Sequence, residues 1–345
     1  MDKINRKFLT IIFQFLAISI VVGGFFSILS LGLYLNNYIN IFVKNANLDK
    51  QQFLDDLYFG YKNPFKENYL SILILGLDQR DYNNSSFLTD TILLVTIDAK
   101  TGNYLLFSIP RDLWLEDYKT KINALYYYGE KENPTGGHQL IKNTIEKILQ
   151  TKIDYVMILK MEQIKELIDL IGGVEVEVER SFVDEEFPKD DGSNEVITVR
   201  FEQGKQIFDG ERALQFIRSR KSKDEIEGTD EARQKRQKKV ILAIKQKLTK
   251  DKNWLTSPQK AGSLYKFFLQ EINIQPNLNS RIIASFWKIG KSIFLSGVQK
   301  EREIPWQGEE AILIPKRDPL YQTWILEPKD NNWNFIKDYY HQNLP

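Results

Sequence analysis

The chain has no cysteine, and its 345 residues include only two histidines, His138 and His341. Disulfides, thiolate nucleophiles and Cys-ligated zinc are therefore excluded. Two histidines leave little room for a Ser-His-Asp triad or a multi-histidine metal site. A dominant charge is also missing: 47 Lys and Arg stand against 46 Asp and Glu, a net charge of +1. No global field draws such a chain to nucleic acid, so an anion site has to be a local cluster. The lysines at 235, 238, 239, 245 and 247 accordingly read as the wet face of a helix rather than a nucleic-acid patch. There is no internal repeat and no long low-complexity tract.

What is present begins at the N-terminus. Lys3, Arg6 and Lys7 precede a mostly apolar run from Phe8 to about Leu35, long enough to cross a hydrocarbon core about 30 Å thick. A cleaved signal peptide would have a shorter apolar core ending at small residues. This run instead leads to Tyr34, Leu35 and Asn36. The expectation is a single-pass cell-membrane protein with residues 1–7 in the cytoplasm, a transmembrane helix over 8–35 and the remainder outside the cell. Residues 36–67 have no clean period and read as a tether or juxtamembrane helix.

From Ser71 the pattern becomes that of an α/β domain, a central mixed β-sheet flanked by helices over about 68–345. Ile72 to Leu77, Ile92 to Ile97 and Tyr104 to Ile109 are short continuous apolar runs, as doubly covered strands would be. The second and third are joined by the turn Asp98-Ala-Lys-Thr-Gly102-Asn and should be antiparallel. Asp90, at the start of the second strand, and Arg111, after the third, then share one sheet edge. Asp78 joins them if the first strand is antiparallel to the second. Further along, helices are expected over about 135–149, 162–171, 211–217, 230–250 and 334–344. Strands are expected at 155–159, 174–178 and 311–314, with an acidic loop or hairpin at 182–198 and an aromatic, helical stretch at 254–294. Residues 68–250 carry the motifs taken up below, and 251–345 read as an extension packed on the same domain.

The segment Arg218 to Gln237 carries the most chemistry. Arg218-Ser-Arg220 is followed by Asp230-x-x-Arg233-x-x-Arg236-Gln237, and then by Val240, Ile241, Ile244 and Leu248 at helical spacing. At about 100° per residue, Asp230, Arg233 and Gln237 continue that apolar stripe inward. A buried guanidinium needs a partner, either an internal carboxylate such as Asp230 or an anionic ligand at the helix start. Arg236, about 60° from Arg233, reads as a solvated neighbour.

Several short motifs recur together: Leu75-Gly-Leu-Asp78-Gln-Arg80, Thr89-Asp90-Thr91, Ser108-Ile-Pro-Arg111-Asp112, Lys121-Ile-Asn123, Gly136-Gly137, Asp169-Leu-Ile-Gly172-Gly173, Gly210-Glu-Arg-Ala213, Arg218-Ser-Arg220 and Asp230-x-x-Arg233-x-x-Arg236-Gln237. Each is weak alone. In this order, behind an apolar N-terminal run, the chain resembles the LytR-CpsA-Psr family of membrane-anchored bacterial cell-wall proteins over residues 68–250. The resemblance implies a phosphotransferase that moves a glycopolymer, as its sugar phosphate, from a polyprenyl-pyrophosphate carrier to peptidoglycan. It also implies an apolar pocket for the lipid tail. By motif, Arg111, Arg218, Arg220 and Arg233, with Gln237, would hold the pyrophosphate. Asp78 and Asp90 would hold magnesium, and together with Arg111 would form the catalytic group. Many members carry an arginine two residues before the aspartate matching Asp90. Here that position is Leu88, so either a neighbouring arginine such as Arg80 compensates or the pyrophosphate is held with fewer contacts. A carrier-binding sensor and a lipid-pyrophosphate hydrolase are the alternative functions.

Overall fold

The computed structural model describes residues 29–78, 88–134, 136–189, 195–251, 256–296, 298–318 and 323–345. Most of the expected membrane span, and Arg80, lie outside these residues. No helix among the described residues is long and apolar enough to cross a membrane.

Two helices precede the sheet where a tether or juxtamembrane helix was expected: α1 over residues 29–45 and α2 (Lys50–Lys62). Asp49 caps α2 by accepting from the Gln52 amide at 2.8 Å. The chain then enters β1 (Tyr69–Asp78), β2 (Leu88–Asp98) and β3 (Tyr104–Ser108). The β1–β2 and β2–β3 pairs are both antiparallel. The β2–β3 turn is closed by Asp98, which accepts from the amides of Lys100 and Thr101. These bonds hold the Asp98 carboxyl below its ordinary pKa against the opposing effect of burial.

A two-residue hairpin, β4 (Trp114–Leu115) with β5 (Thr120–Lys121), leads to α3 (Leu125–Glu132) and α4 (Gly137–Leu149). Next come β6 (Tyr155–Lys160), parallel to β1, and α5 (Met161–Leu170). Two hairpin-like pairs follow, β7 (Val174–Val178) with β10 (Gly204–Phe208) and β8 (Phe182–Pro188) with β9 (Val196–Phe201). They are succeeded by α6 (Gly210–Arg218) and the long α7 (Asp230–Lys250).

The remaining chain returns to the same sheet. After α8 (Pro258–Lys266), β11 (Asn273–Gln275) pairs with β6. Past α9 (Ser280–Ser285) and α10 (Trp287–Ser296), β12 (Gln299–Glu303) pairs with β3. The sheet order is β11-β6-β1-β2-β3-β12. The expected late strand near 311–314 is instead part of a separate hairpin, β13 (Leu313–Arg317) with β14 (Trp324–Pro328), followed by α11 (Asn334–Gln342). The late strand that does join the sheet reads Gln-Lys-Glu-Arg-Glu. An edge strand needs no apolar alternation to pair through its backbone, and charges there discourage further pairing.

The two sheet faces are covered unequally. On one face, Leu73, Leu75, Ile92, Leu94, Leu105 and Phe107 are at most 2% exposed, packed with Ile141, Ile145 and Ile336 of α4 and α11. On the other, Ile72, Ile74, Leu93, Val95, Leu106 and Met157 are only half-buried. The strands are thus covered on both faces, tightly on the first and partly on the second, where Leu70 and Ile97 are buried with Ile289 of α10.

Candidate active site

A β-bulge sets the site. Gly76 pairs with Thr91 and Leu77 with Thr89, so Asp90 is the extra residue of β2. A bulge bends its strand and re-aims a side chain. Gly76 allows the close approach: a Cβ there would sit 3.0 Å from the Thr91 Cβ. Thr89, fully buried, donates its hydroxyl to the Asn123 carbonyl at 3.1 Å and fixes the start of β2. Asp78 ends β1 opposite Leu88. The backbone of Asp78 therefore lies at the Asp90 edge, as expected; its side chain, like that of Asp230, lies outside the described residues. The carboxyl ends of the parallel pair β1 and β6 point to the same edge, where open α/β sheets commonly place ligands.

Three arginines from three elements converge on Asp90. Arg111, just past β3, donates from Nη1 to Oδ1 at 2.9 Å. Arg220, in the α6–α7 loop, and Arg233, on the first turns of α7, each place a terminal nitrogen 3.5 Å from Oδ2. The Asp90 side chain is 7% exposed and that of Arg233 only 2%. Among the described side chains, a carboxylate that answers Arg233 is Asp90, 143 residues away in sequence by the difference of their numbers. Arg111 Nε also lies 3.6 Å from Asp112, which pairs with Lys121 at 2.6 Å. The described side chains of this group carry four positive charges (Arg111, Lys121, Arg220, Arg233) against two negative ones (Asp90, Asp112). Gln237 is buried on the same helix. The Arg218 guanidinium lies 5.8 Å from the Phe187 ring, and Leu88 is exposed.

The loop that carries Arg220 is held by groups the sequence did not single out. Ser219 is extended (φ −58°, ψ 131°), so its side chain faces away from its two arginine neighbours. That side chain donates to Asp184 Oδ2 at 2.6 Å, and the Arg220 and Lys221 amides donate to the same oxygen at 3.0 and 3.1 Å. The Glu186 amide donates to Oδ1 at 3.1 Å. Asp184 is 1% exposed and belongs to β8, within the stretch expected to be merely acidic.

Arg236 completes the brace and is not solvated. Its Nε donates to the Phe216 carbonyl at 2.9 Å, its Nη2 to the Ser219 carbonyl at 2.6 Å, and its Nη1 to Glu227 Oε2 at 2.6 Å. Its guanidinium stacks 4.8 Å from the Phe182 ring. Burial lowers its pKa, while Glu227 and Asp184 act in the opposite direction. An arginine remains charged all the same. A 60° offset places a residue off the centre of a buried stripe, but here β8 and α6 widen the buried arc. Replacing Asp184 with alanine would leave two Arg-loop amides without their acceptor inside the protein. The expected loss is about 3–5 kcal/mol of stability, readable as a lowered urea midpoint at unchanged slope.

What fold and site define together is an α/β protein with an arginine cradle at the carboxyl end of a mixed sheet. The chain belongs to the LytR_cpsA_psr family, whose model matches residues 34–305. The polyisoprenyl-teichoic acid–peptidoglycan teichoic acid transferase TagU of Bacillus subtilis (strain 168) is 30% identical over 239 residues, 68% of this chain and 67% of that protein. The protein of the same name from Bacillus licheniformis is 31% identical over 212 residues, 60% of each chain. The chain thus matches about 60–67% of the length of these relatives. The crystal structure of B. subtilis TagV shares the fold, with a TM-score of 0.58 at 22% identity over 81% of this chain and 98% of that one.

Proposed function

We propose that this protein is an extracytoplasmic phosphotransferase. It would move a glycopolymer, as its sugar phosphate, from a polyprenyl-pyrophosphate carrier to peptidoglycan. The observation that carries this reading is the convergence of Arg111, Arg220 and Arg233 on the single buried carboxylate of Asp90. Three guanidiniums from three elements, beside a partly covered apolar sheet face, suit a head group of two phosphates on an apolar tail. Arginine's planar fork donates paired bonds to phosphate oxygens and keeps its charge. The relatives' name supports the same donor and acceptor classes. The apolar N-terminal run supports a membrane location.

In the proposed reaction an acceptor hydroxyl oxygen attacks the phosphorus that bears the sugar, forming a new P–O bond. The bond from that phosphorus to the bridging oxygen breaks, and polyprenyl phosphate leaves. The guanidiniums stabilise the charge that moves onto the bridging oxygen. The acceptor proton passes to a carboxylate at the sheet edge. That carboxylate would be Asp78 or Asp90, whichever the metal leaves free.

Among the described residues no three His, Asp or Glu side chains gather as a metal cage. A cation beside three guanidiniums is disfavoured until an anion offsets them. With a pyrophosphate supplying oxygen ligands and negative charge, Asp78 and Asp90 would be the residues to hold magnesium. When bound, the ion would neutralise charge on the phosphates.

The test is incubation of the full chain with lipid-linked donor, magnesium and peptidoglycan fragments. Expected products are the glycopolymer–peptidoglycan phosphodiester and polyprenyl phosphate. Tight binding without product would instead mark a carrier-binding protein. Release of free sugar phosphate without acceptor would mark a hydrolase.

A further inference from the structure

The two N-terminal helices are built into the domain at the end of the sheet opposite the cradle. α1 is docked on α8: a Cβ on Gly262 would lie 2.4 Å from the Phe42 carbonyl oxygen. Tyr38 and Ile39 of α1 border one apolar cavity with Ile283 of α9. α2 lies along α9. Asp56, 4% exposed, accepts from Ser280 Oγ at 2.7 Å and from Arg281 Nε at 3.1 Å. One turn on, a Cβ on Gly60 would sit 2.4 Å from the Ala284 Cβ. The ends of α2 and α9 therefore arrive together, and Tyr61 meets Trp287 of α10 with ring centroids 5.8 Å apart. The segment after α2 is fixed to the sheet. The Phe65 amide donates to the Ser285 carbonyl at 3.0 Å, and the Ala99 amide to the Asn68 carbonyl at 2.8 Å. From the Tyr69–Asp98 pair at this end to Asp78 is nine residues of β1, roughly 30 Å of strand.

Between these elements lies a cavity of about 590 Å³ whose lining includes Lys66, Lys100, Lys288, Lys291 and Trp287, with Glu67 as its single carboxylate. Among the described residues none of the four lysines has a carboxylate within ion-pairing distance. Asp98, at the base of the turn that carries Lys100, already accepts from the Lys100 and Thr101 amides. The floor of the cavity is tightly built. Gly102, at φ 75°, lets the β2–β3 turn press on α10: a Cβ there would sit 2.4 Å from the Ile293 amide nitrogen. Ser292 Oγ donates to the Lys100 carbonyl at 3.3 Å across the same contact. Next to Trp287 the surface of α2 is apolar and aromatic. Tyr58 and Tyr61 are 65% and 61% exposed, with Leu57 exposed between their turns, and Lys62 Nζ lies 5.6 Å from the Tyr58 ring centroid.

We propose that this end of the domain is a second membrane contact: the lysine-lined cavity takes the phosphate of an anionic phospholipid headgroup, and Tyr58, Tyr61 and Trp287 rest at headgroup level. This rests on the membrane location read from the apolar N-terminal run, and adds to that anchor a contact made by the folded domain. Charge and composition together select the bilayer as occupant. Four lysines without carboxylate partners call for anions, but a dissolved anion gives no reason for exposed Tyr and Leu beside them. Amphipathic aromatics interleaved with lysines are the composition of a membrane interface. Position agrees. The apolar run ends at about Leu35, three residues before Tyr38, and Ile283, on the same cavity as Tyr38, is four residues from Trp287. The surface thus lies beside the helix that leaves the apolar run. The cradle is roughly 30 Å away along β1, so the donor's pyrophosphate is not the occupant. One helix alone would let the domain swivel. Two attachments fix it, with the cradle at the end of the sheet away from the headgroups.

The chain has no cysteine, so a single introduced one can carry a fluorophore. Gly290→Cys on α10 places it between Lys288 and Lys291, where an added Cβ meets nothing within 4 Å. Leu88→Cys places it at the cradle edge. Each labelled full chain is put into nanodiscs containing a headgroup-nitroxide lipid, with phosphatidylglycerol present or with phosphatidylcholine alone. The label at 290 is expected to be quenched in the phosphatidylglycerol discs, and the label at 88 to stay bright. Lys66→Gln, Lys288→Gln and Lys291→Gln combined should lower the docked-to-undocked ratio at least about tenfold. Molar salt should weaken the contact of the unsubstituted lysines in the same direction, which removes the question of variant folding. Equal quenching at 290 in the two lipid compositions, or no change in the triple variant, overturns the proposal and leaves the membrane reading intact. Loss of quenching on adding inorganic phosphate at constant ionic strength would mark a site for dissolved anions and overturn it equally. Failure of the full chain to enter nanodiscs overturns the membrane reading itself.

Discussion

Replacing Asp90 with asparagine is expected to tighten inorganic pyrophosphate about tenfold to a hundredfold while abolishing transfer. The two effects have one cause. Asp90 is the internal anion of the cradle, facing Arg111 at 2.9 Å and Arg220 and Arg233 at 3.5 Å. Any incoming phosphate competes with it for the same guanidiniums. Removing its charge takes away about 1.4–2.8 kcal/mol of competition, a modest fraction of the coulombic energy of a charge pair in partly screened surroundings. The same substitution leaves three guanidiniums facing one another, so the ligand-free variant should lose about 3–5 kcal/mol of stability. Added pyrophosphate should restore more of that loss than it adds to the natural chain. Calorimetric titration gives the affinity and thermal melts with and without pyrophosphate give the rescue. If Asp90 were an ordinary strand-end residue, affinity and transfer would both remain near their natural values.

The second large effect concerns Arg233. Its side chain is 2% exposed, so its carbon stem is packed as tightly as its charge is paired. Arg233→Ala should lower transfer efficiency by about 10²–10³. It should also cost about 2–4 kcal/mol of stability, because it empties a filled volume and unbalances Asp90. Arg233→Lys separates the two consequences. It keeps the charge and most of the stem, so the urea midpoint should move little. The planar fork is lost, and transfer should still fall by at least about tenfold. A lysine variant with natural transfer rates would mean that the site needs positive charge but not paired donation.

How much of this was legible in the sequence depends on whether a contact is local. The β2–β3 hairpin follows from apolar runs flanking a turn. The placement of Asp90 and Arg111 on one edge follows from that hairpin alone. The inward position of Arg233 follows from helical spacing with Val240 and Ile244. Its partner does not, because no periodicity links α7 to a bulge in β2. Asp184 was hidden for a similar reason. A buried carboxylate and a solvated one are the same letter, and only the fold brings Ser219 and the Arg220 amide to it. Arg236 escapes a helical phase measured from a single stripe, because α7 packs on both β7 and α6 and meets Phe182 of β8. The polar β12 left no apolar signal because it pairs at an edge through its backbone. The docking of α1 depends on Gly262, more than 200 residues away, at a backbone contact that no local pattern announces.

The most direct measurement is a crystal structure of the full chain with a non-hydrolysable isoprenyl pyrophosphate. The expected density places the two phosphates within hydrogen-bonding distance of Arg111, Arg220 and Arg233, with Asp90 no longer held by all three. Phosphates bound elsewhere, with the three guanidiniums still closed on Asp90, would contradict the cradle as the donor site.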